Sequence, residues 1–599
     1  MPRPRRASAC FAGLKASRLR SRGGHASFGE ARRPASAKAS AVRRSFSEGG
    51  SAFGAKAARS IAILLVVAAS ALIRAQTPTQ PLNQSPLQRE SLAAAPNRAA
   101  GEGFGPYKTM VVRGAMLIDG TGGPPRGPVD IVVEGNRIAA IRNAGTPGLP
   151  MRPNRPPKAD YEIDATGMYV TPGFIDLHVH AGGAPKNPDA EYPYKLWLAH
   201  GVTTVRGVPL TDNTLSVKEK ARSARNEIVA PRIFNYQRPG SGWAKGVPQT
   251  PEQAHAWVAW AHDNGVDGIK LGAERPDLME IYCHDARKLG MGTTAHLQQT
   301  GVVQVNAIKA ARMGLGTVTH FYGHFESLLK DYVVQPYPVT QNYNNEQDRF
   351  GQVARLWDKI HPPGSPEWQA YLEEHLKLGT TFDPTLTIYS AGRDVMRFRA
   401  AEWHDRFTLP SLMEFYTPDR NNHGAYWYDW TTEDEVAFRN FYQVWFRLMN
   451  DYKKMGGRVT TGSDSGFIYQ TYGFGYVNEL ELLQEAAFHP LEVIQAATMN
   501  GAATLYEPMH TPPDIGVVRE GMLADMVIVD QNPLQNFKVL YANGALRLND
   551  KSGKVERVGG IKWTIKDGIA YDAKKLAADV TAMVDKQKRE RAMKTTASR

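Results

Sequence analysis

Residues 171–180, TPGFIDLHVH, decide the fold that we predict for this chain. This apolar stretch ends in two histidines, His178 and His180, separated by one residue. Alternate side chains of a β-strand point the same way, so both imidazoles are expected on one face at the strand end. A strand that ends in two possible metal ligands predicts a site at the open end of a sheet or barrel.

Seven more short apolar segments follow, separated by sequence with helical character. The eight predicted strands cover residues 169–180, 202–208, 232–236, 268–271, 292–296, 317–320, 380–386 and 458–463. Strands that alternate with helices indicate a parallel sheet. Eight such units predict an α/β fold, the (β/α)8 or TIM barrel, whose active site lies at the C-terminal ends of the strands.

Four more of the predicted strands have a further candidate metal-binding residue at or next to their C-terminal end. These residues are Lys270, His296, His320 and Asp464. With the two histidines of the first strand they form a set of six that should meet at one end of the barrel. Imidazoles and a carboxylate suit zinc or a similar divalent ion. His324 competes with His320 as a ligand, but it lies beyond the strand end.

Lys270 is unusual in this set, because an ammonium group would repel a metal ion. A buried lysine with a lowered pKa can react with carbon dioxide to form an anionic carbamate that bridges two metals. The sequence therefore predicts a binuclear site with two divalent ions, zinc being favoured. Such a site makes a bridging hydroxide nucleophilic near neutral pH.

The motifs TPGFIDLHVH, GIKLG, TTAH, TVTH and TGSDS, in this order, resemble the metal-dependent amidohydrolase superfamily. The resemblance is to its branch with a carboxylated lysine, near imidazolonepropionase-like and prolidase-like enzymes. It implies that His178, His180 and Asp464 hold the more buried metal, and His296 and His320 the more exposed one. It also implies that Asp464 is the catalytic residue that moves the proton from the hydroxide to the leaving nitrogen.

The function that this resemblance implies is hydrolysis of an amide C–N bond, in a dipeptide or an N-acyl amino acid. A cyclic amide or lactam is the alternative substrate, and a metal-binding barrel without turnover is a remote one. The segments Arg206-Gly207 and Gly240-Ser241-Gly242-Trp243 depart from the pattern of relatives. Substrate-binding residues are therefore not carried over.

The remaining sequence suggests six regions. They are a basic leader with a signal peptide (1–75), a flexible linker (76–106), a first part of a small β-sandwich (107–168), the barrel (169–509) with insertions at 321–379 and 387–457, a second sandwich part (510–572) and a basic helical tail (573–599). The N- and C-terminal segments that flank the barrel are expected to pair into one sandwich. Both insertions follow strands and are rich in aromatic residues, which favours either self-packing or a wall over the site.

The charge of the chain is concentrated in the leader. Of 72 Lys+Arg and 59 Asp+Glu, residues 1–75 hold 15 basic and two acidic residues, which leaves 57 of each sign elsewhere. The body of the protein therefore gives no reason to expect nucleic acid as a partner. We expect a small-molecule amide as its partner, and the sequence does not decide whether the chain forms homo-oligomers.

Residues 61–73 form an apolar run between Arg59 and Arg74, typical of a secretory signal and short for a membrane helix. A periplasmic or secreted protein of bacterial type is predicted. The general secretory route, a twin-arginine route through Arg43-Arg44, a later translation start and an uncleaved membrane anchor all remain open. Of the two cysteines, only Cys283 lies outside the leader, so a disulfide scaffold is excluded.

Overall fold

The computed structural model describes residues 92–420 and 422–597. The predicted leader with its signal peptide, and residues 76–91 of the predicted linker, lie outside these ranges. No helix within the described ranges has both the length and the apolar character that crossing a membrane requires.

One sheet of eight strands joins the two ends of the described chain. Its strands are β1 (Thr109–Leu117), β2 (Arg126–Glu134), β3 (Arg137–Asn143), β4 (Tyr161–Asp164), β5 (Tyr169–Pro172), β13 (Met526–Val529), β16 (Ile561–Lys566) and β17 (Ile569–Asp572). The contact between the ends is the antiparallel pair β5–β13, with Val170 opposite Ile528. The predicted pairing of the flanking segments is confirmed. A separate hairpin consists of β14 (Ala545–Asn549) and β15 (Lys554–Val558).

A second sheet of seven parallel strands forms the barrel. The strands, in chain order, are β6 (Phe174–Val179), β7 (Val202–Gly207), β8 (Arg232–Gln237), β9 (Gly268–Leu271), β10 (Gly292–Ala295), β11 (Thr317–Thr319) and β12 (Thr381–Asp383). Each strand pairs with the next one in the chain, as in a (β/α)8 barrel. The predicted α/β barrel fold is confirmed.

The eighth strand position differs from the prediction. Residues 458–463 are not a regular strand, although Val459 forms a parallel bridge with Phe382 and the Leu177 N–H donates to the Thr461 carbonyl at 2.9 Å. The Ser463 N–H donates to the Asp176 carboxylate at 2.9 Å instead of to a backbone carbonyl, which interrupts the strand pairing before the Asp464 N–H donates to the His178 carbonyl at 2.7 Å. The barrel is thus nearly closed, with an irregular eighth segment.

The first predicted strand, 169–180, is two strands in two sheets. Gly173 separates β5 from β6, and its N–H donates to the Asp525 carbonyl at 2.9 Å. A Cβ atom at this position would lie 2.1 Å from the Thr203 hydroxyl, so only glycine fits. The chain changes from one sheet to the other at this close approach.

Sixteen α-helices connect and cover the strands in the described ranges. They are α1 (Glu191–Ala199), α2 (Asn213–Ala224), α3 (Pro251–Asp263), α4 (Pro276–Lys288), α5 (Ala307–Arg312), α6 (His324–Ser327), α7 (Glu346–Val353), α8 (Pro366–Leu378), α9 (Val395–Arg399), α10 (His404–Phe407), α11 (Pro410–Phe415), α12 (Thr432–Lys454), α13 (Phe474–Glu485), α14 (Pro490–Gln495), α15 (Gly501–Tyr506) and α16 (Ala573–Ala597). Helices α6–α8 and α9–α12 lie in the two insertions. The long helix α12 begins with a capping box between Thr431 and Asp434, and it buries Phe441 and Trp445.

Candidate metal centre

His178 and His180, at the end of β6, face the same carboxylate. The Nε2 atoms of His178 and His180 lie 3.7 and 3.3 Å from Asp464 Oδ1. Lys270, in β9, places its Nζ atom 3.5 Å from His178 Nε2. The alternation of β6 and the parallel arrangement of the strands therefore bring four of the six predicted residues together.

His320 and His296 complete the group from the ends of β11 and β10. His320 Nε2 lies 3.5 Å from Asp464 Oδ2, and the ring centroids of His296 and His320 are 4.6 Å apart. The structure thus brings all six predicted residues to one end of the barrel. Ligand atoms of His178, His320 and Asp464 lie within 4.8 Å of one another.

The donor set fits a divalent metal. His320 Nε2 and Asp464 Oδ1 are buried and have no hydrogen-bond partner among the described residues. Burial and then the charge of Lys270 lower the pKa of His320, which keeps the imidazole neutral, the form that binds a metal. Unpaired buried polar atoms are costly, so these atoms are placed for a ligand.

Burial also shifts the pKa of the two non-imidazole members. It lowers the pKa of the Lys270 ammonium well below its ordinary value, and the nearby Arg238 guanidinium adds to this effect. It raises the pKa of Asp464 to about 6, against the opposing charge of Lys270. A neutral amine is the form of Lys270 that can react with carbon dioxide.

Two hydrogen bonds orient the histidine rings. His180 Nδ1 lies 3.0 Å from the Pro209 carbonyl, which only accepts, so Nδ1 carries the proton and Nε2 is free for a metal. The Thr385 hydroxyl donates to the Pro384 carbonyl at 2.7 Å and contacts His320 Nδ1. It therefore accepts a hydrogen bond from His320 Nδ1, and the His320 lone pair is left on Nε2.

The backbone of Thr385 is strained. Its φ is +46°, in the left-handed region that a β-branched residue rarely adopts. His320 and Asp464 also have positive φ, of 65° and 49°. Such outliers persist where the surrounding structure over-determines them, and they cluster at functional sites. Sequence analysis missed Thr385, because no motif signals a strained residue that follows a strand.

Asp176 holds the two ligand-bearing segments together. Its carboxylate accepts the His178 N–H at 3.2 Å, the Ser463 N–H at 2.9 Å and the Ser463 hydroxyl at 2.6 Å. These bonds tie β6 to the irregular eighth segment next to Asp464. Asp176 belongs to the stretch that predicted the fold, yet its role became visible only from its partners.

A fully buried ion pair lies in the barrel interior near the cluster. Arg206 donates to the Asp383 carboxylate at 2.9 Å and to the Leu177 carbonyl at 2.6 Å, and both charged side chains have no exposed surface. From the sequence, Arg206 was notable only because the segment Arg206-Gly207 differs from the corresponding segment of relatives, and no ion pair was predicted for it. Its partner comes from β12, far along the chain.

His324, the rival of His320, lies elsewhere. Its Nδ1 is 2.6 Å from the Tyr371 hydroxyl, and its ring packs against Phe382 at a centroid distance of 4.5 Å. The Asp464 carboxylate is approached by the ring of His320 instead. The structure therefore places His324 among aromatic residues, apart from the six.

The two insertions line the site and also pack on themselves. Tyr322 stacks on His296 at 4.4 Å, and its hydroxyl lies 2.6 Å from that of Tyr389. Phe441 and Trp445 are fully buried and contact Phe321. Both interpretations of the aromatic insertions therefore apply, each to different residues.

Comparison with known proteins finds short matches in sequence and long matches in structure. No family model matches the chain. It is 43% identical over 97 residues to N-acyl-D-aspartate deacylase of Alcaligenes xylosoxydans xylosoxydans, a match that covers 16% of this chain and 16% of that protein. The chain therefore spans less than a fifth of the length of this relative.

Solved structures match over much more of the chain. Bottromycin amidohydrolase has a TM-score of 0.53 and 19% identity, over 85% of this chain and 94% of that one. A Xaa-Pro dipeptidase with bound methionine in its active site has a TM-score of 0.50 and 18% identity, over 78% of this chain and 100% of that one. At these identities the likeness shows the fold.

Proposed function

We propose that this chain is a member of the metal-dependent amidohydrolase superfamily and that it hydrolyses amide bonds in small molecules. The observation that carries the proposal is the meeting of four imidazoles, a buried lysine and a carboxylate at the C-terminal end of a (β/α)8 barrel. The deacylase, the amidohydrolase and the dipeptidase found by comparison support cleavage of C–N bonds. We extend the proposal to dipeptides and N-acyl amino acids as substrates.

His178, His180, His296, His320, Lys270 and Asp464 are the proposed ligands of two divalent ions, with zinc as the metal and carbon dioxide as the source of a carbamate on Lys270. Bound there, the ions would act as Lewis acids and make water ionise near neutral pH. The protein contributes orientation. Thr385 and the Pro209 carbonyl fix the tautomers of two histidines, and Asp176 fixes the backbone of His178 and of Ser463, the residue before Asp464.

Asp464 is the proposed proton carrier. Its carboxylate lies within 3.7 Å of three imidazoles, at the centre of the cluster. As a base it accepts a proton from the attacking water, and as an acid it delivers this proton to the departing nitrogen. In the metal-free site burial raises the pKa of Asp464 to about 6, so this carboxylate takes up a proton more readily than an exposed aspartate.

The aromatic walls provide the alternative. The Tyr322 ring stacks on His296, and Tyr389 stands perpendicular to Tyr322 with the two hydroxyls in contact. These aromatic rings beside the cluster also suit a planar cyclic amide. Cyclic amide or lactam hydrolysis is therefore the second candidate.

We also propose that the protein is exported to the periplasm or the medium. The basis of this proposal is the apolar run at 61–73.

The test of the function is hydrolysis of a defined pool. The protein, loaded with zinc in bicarbonate buffer, is incubated with dipeptides, N-acyl amino acids and lactams, and the products are identified by mass spectrometry. The Asp464→Asn protein serves as the blank. Cleavage of linear amides by the wild type alone supports the proposal, cleavage of lactams alone favours the alternative, and cleavage of neither by metal-loaded protein contradicts both.

A further inference from the structure

Four lysines are buried in the part of the chain that the structure describes: Lys186, Lys195, Lys270 and Lys566. Lys195 contacts three carboxylates at 2.8 to 3.0 Å. Lys566 donates to the Ser223 carbonyl at 2.7 Å and pairs with an aspartate at 3.0 Å. Lys270 belongs to the metal cluster. Lys186, only 8% exposed, is the exception, because no described residue offers its ammonium a carboxylate or a hydrogen-bond acceptor within contact distance.

The neighbours of the Lys186 ammonium are two phenyl rings. Its Nζ atom lies 3.0 Å from the ring centroid of Phe467 and 4.6 Å from that of Phe415. Phe467 also packs edge-on against His180, at a centroid distance of 5.9 Å. The same phenyl ring therefore contacts both the Lys186 amine and a proposed metal ligand, so Lys186 lies beside the metal cluster.

The charges around this position are unbalanced. Burial lowers the pKa of Lys186 well below its ordinary value, as it does for Lys270, and Asp464 is the acidic group that opposes this effect. An anionic ligand beside the amine would raise this pKa and restore the ammonium form. Lys270 also acts on Asp464, and so does Arg238, which is half-buried just after β8 and faces Glu274 as well. Aromatic faces attract a cation but do not neutralise it. The Lys186 side chain is mostly buried, and its amine forms no ion pair or hydrogen bond with a described residue, so an anionic ligand at this position would balance the charge.

We propose that Lys186 binds a carboxylate of the substrate in a subsite walled by Phe415 and Phe467. This inference rests on the proposed function and deepens it, because it assigns a residue to the free carboxylate that dipeptides and N-acyl amino acids carry. One ammonium between two phenyl rings suits a compact monoanion. Phosphate groups are more typically held by several backbone N–H groups or by paired arginines.

The kinetic test compares each cleaved substrate with its own carboxamide. Lys186→Met keeps a long side chain between the two rings and removes the charge. We expect kcat/KM for the free acid to fall at least about 30-fold, as for loss of one partner of a buried charge pair, and kcat/KM for the carboxamide to change less than threefold. Lys245→Met, an exposed lysine of the loop after β8, is the matched control and should change neither.

A binding test works without turnover. Benzoate and benzamide are the probes, and the readout is the thermal unfolding midpoint of the zinc-loaded protein. Benzoate should raise the midpoint of the wild type and of Lys245→Met, and it should not raise that of Lys186→Met. Benzamide should have no effect on any of them. Equal stabilisation of wild type and Lys186→Met by benzoate, or none of either, would overturn the inference.

The two proposals can fail separately. If the protein cleaves no amide in the pool, the proposed hydrolysis is wrong, whatever benzoate does. If it cleaves free acids and carboxamides equally well, and Lys186→Met changes neither rate, the hydrolysis stands and the carboxylate subsite is wrong.

Discussion

Replacing Thr385 with valine should weaken metal binding without changing the shape of the site. Valine is close to threonine in volume and keeps the branched Cβ, but it removes the hydroxyl that accepts a hydrogen bond from His320 Nδ1. The loss of an outer hydrogen-bond partner of a metal ligand typically lowers metal affinity 10- to 100-fold. This range corresponds to about 1.4 to 2.8 kcal/mol of binding free energy.

The assay is a competition titration. Metal is removed from the protein with a chelator, and zinc is added back in the presence of a chromophoric chelator of known affinity. Thr385→Ser keeps the hydroxyl and should bind zinc within about threefold of the wild type. If Thr385→Val binds zinc as tightly as Thr385→Ser, the hydroxyl does not orient His320.

The backbone strain at the same residue gives a second, opposite effect. Glycine adopts a φ of +46° without the cost of about 1 kcal/mol or more that a branched residue incurs there. Thr385 is fully buried, so Thr385→Gly also leaves a cavity and an unpaired His320 Nδ1, which together cost about 2 kcal/mol or more. Thr385→Gly should therefore unfold at lower urea concentration in the metal-free state and bind zinc more weakly. Unfolding at higher urea concentration would mean that the backbone strain exceeds the packing of the side chain.

Three other outcomes are expected. Lys270→Ala should lose one of the two metals, as counted by mass spectrometry. Added short-chain carboxylic acids should partly restore the activity of this variant, and an unchanged metal count would refute carboxylation. Asp464→Asn should keep at least one metal and lose several orders of magnitude in kcat, and near-normal turnover of this variant would contradict the proposed role. Wild-type activity should fall at acid pH, because protonated Asp464 cannot accept a proton and burial raises its pKa; a flat acidic limb would contradict this. Asp383→Asn should leave Arg206 buried without a counter-ion and cost about 3–5 kcal/mol in urea unfolding; an unchanged midpoint would show that the pair is not needed.

The barrel and its site could be predicted from the sequence because each piece is a local pattern. The alternation in β6 puts His178 and His180 on one face, and parallel strands bring their C-terminal ends together. Short segments such as TTAH and TVTH therefore sufficed to place His296 and His320. The pairing of the two chain ends followed from similar strand patterns on both sides of the barrel.

The parts that could not be predicted depend on contacts between distant segments. The chain changes sheets at Gly173, where the Thr203 side chain comes so close that only glycine fits. No local sequence pattern signals that approach. The eighth segment is irregular because the Asp176 carboxylate takes the Ser463 N–H. Nothing in the sequence around Lys186 indicates that it is buried. Its ring neighbours come from distant segments: Phe415 belongs to the second insertion, and Phe467 follows the eighth barrel position.

The most direct test of the central claim is a zinc titration of activity. Metal-free protein in bicarbonate buffer receives increasing equivalents of zinc, and hydrolysis of a cleaved N-acyl amino acid or dipeptide is measured at each step. We predict that metal-free protein is inactive and that activity rises to a maximum at two equivalents per chain. Full activity without metal, or no activity when two zinc ions are bound, would contradict the proposal that these six side chains form a hydrolytic metal centre.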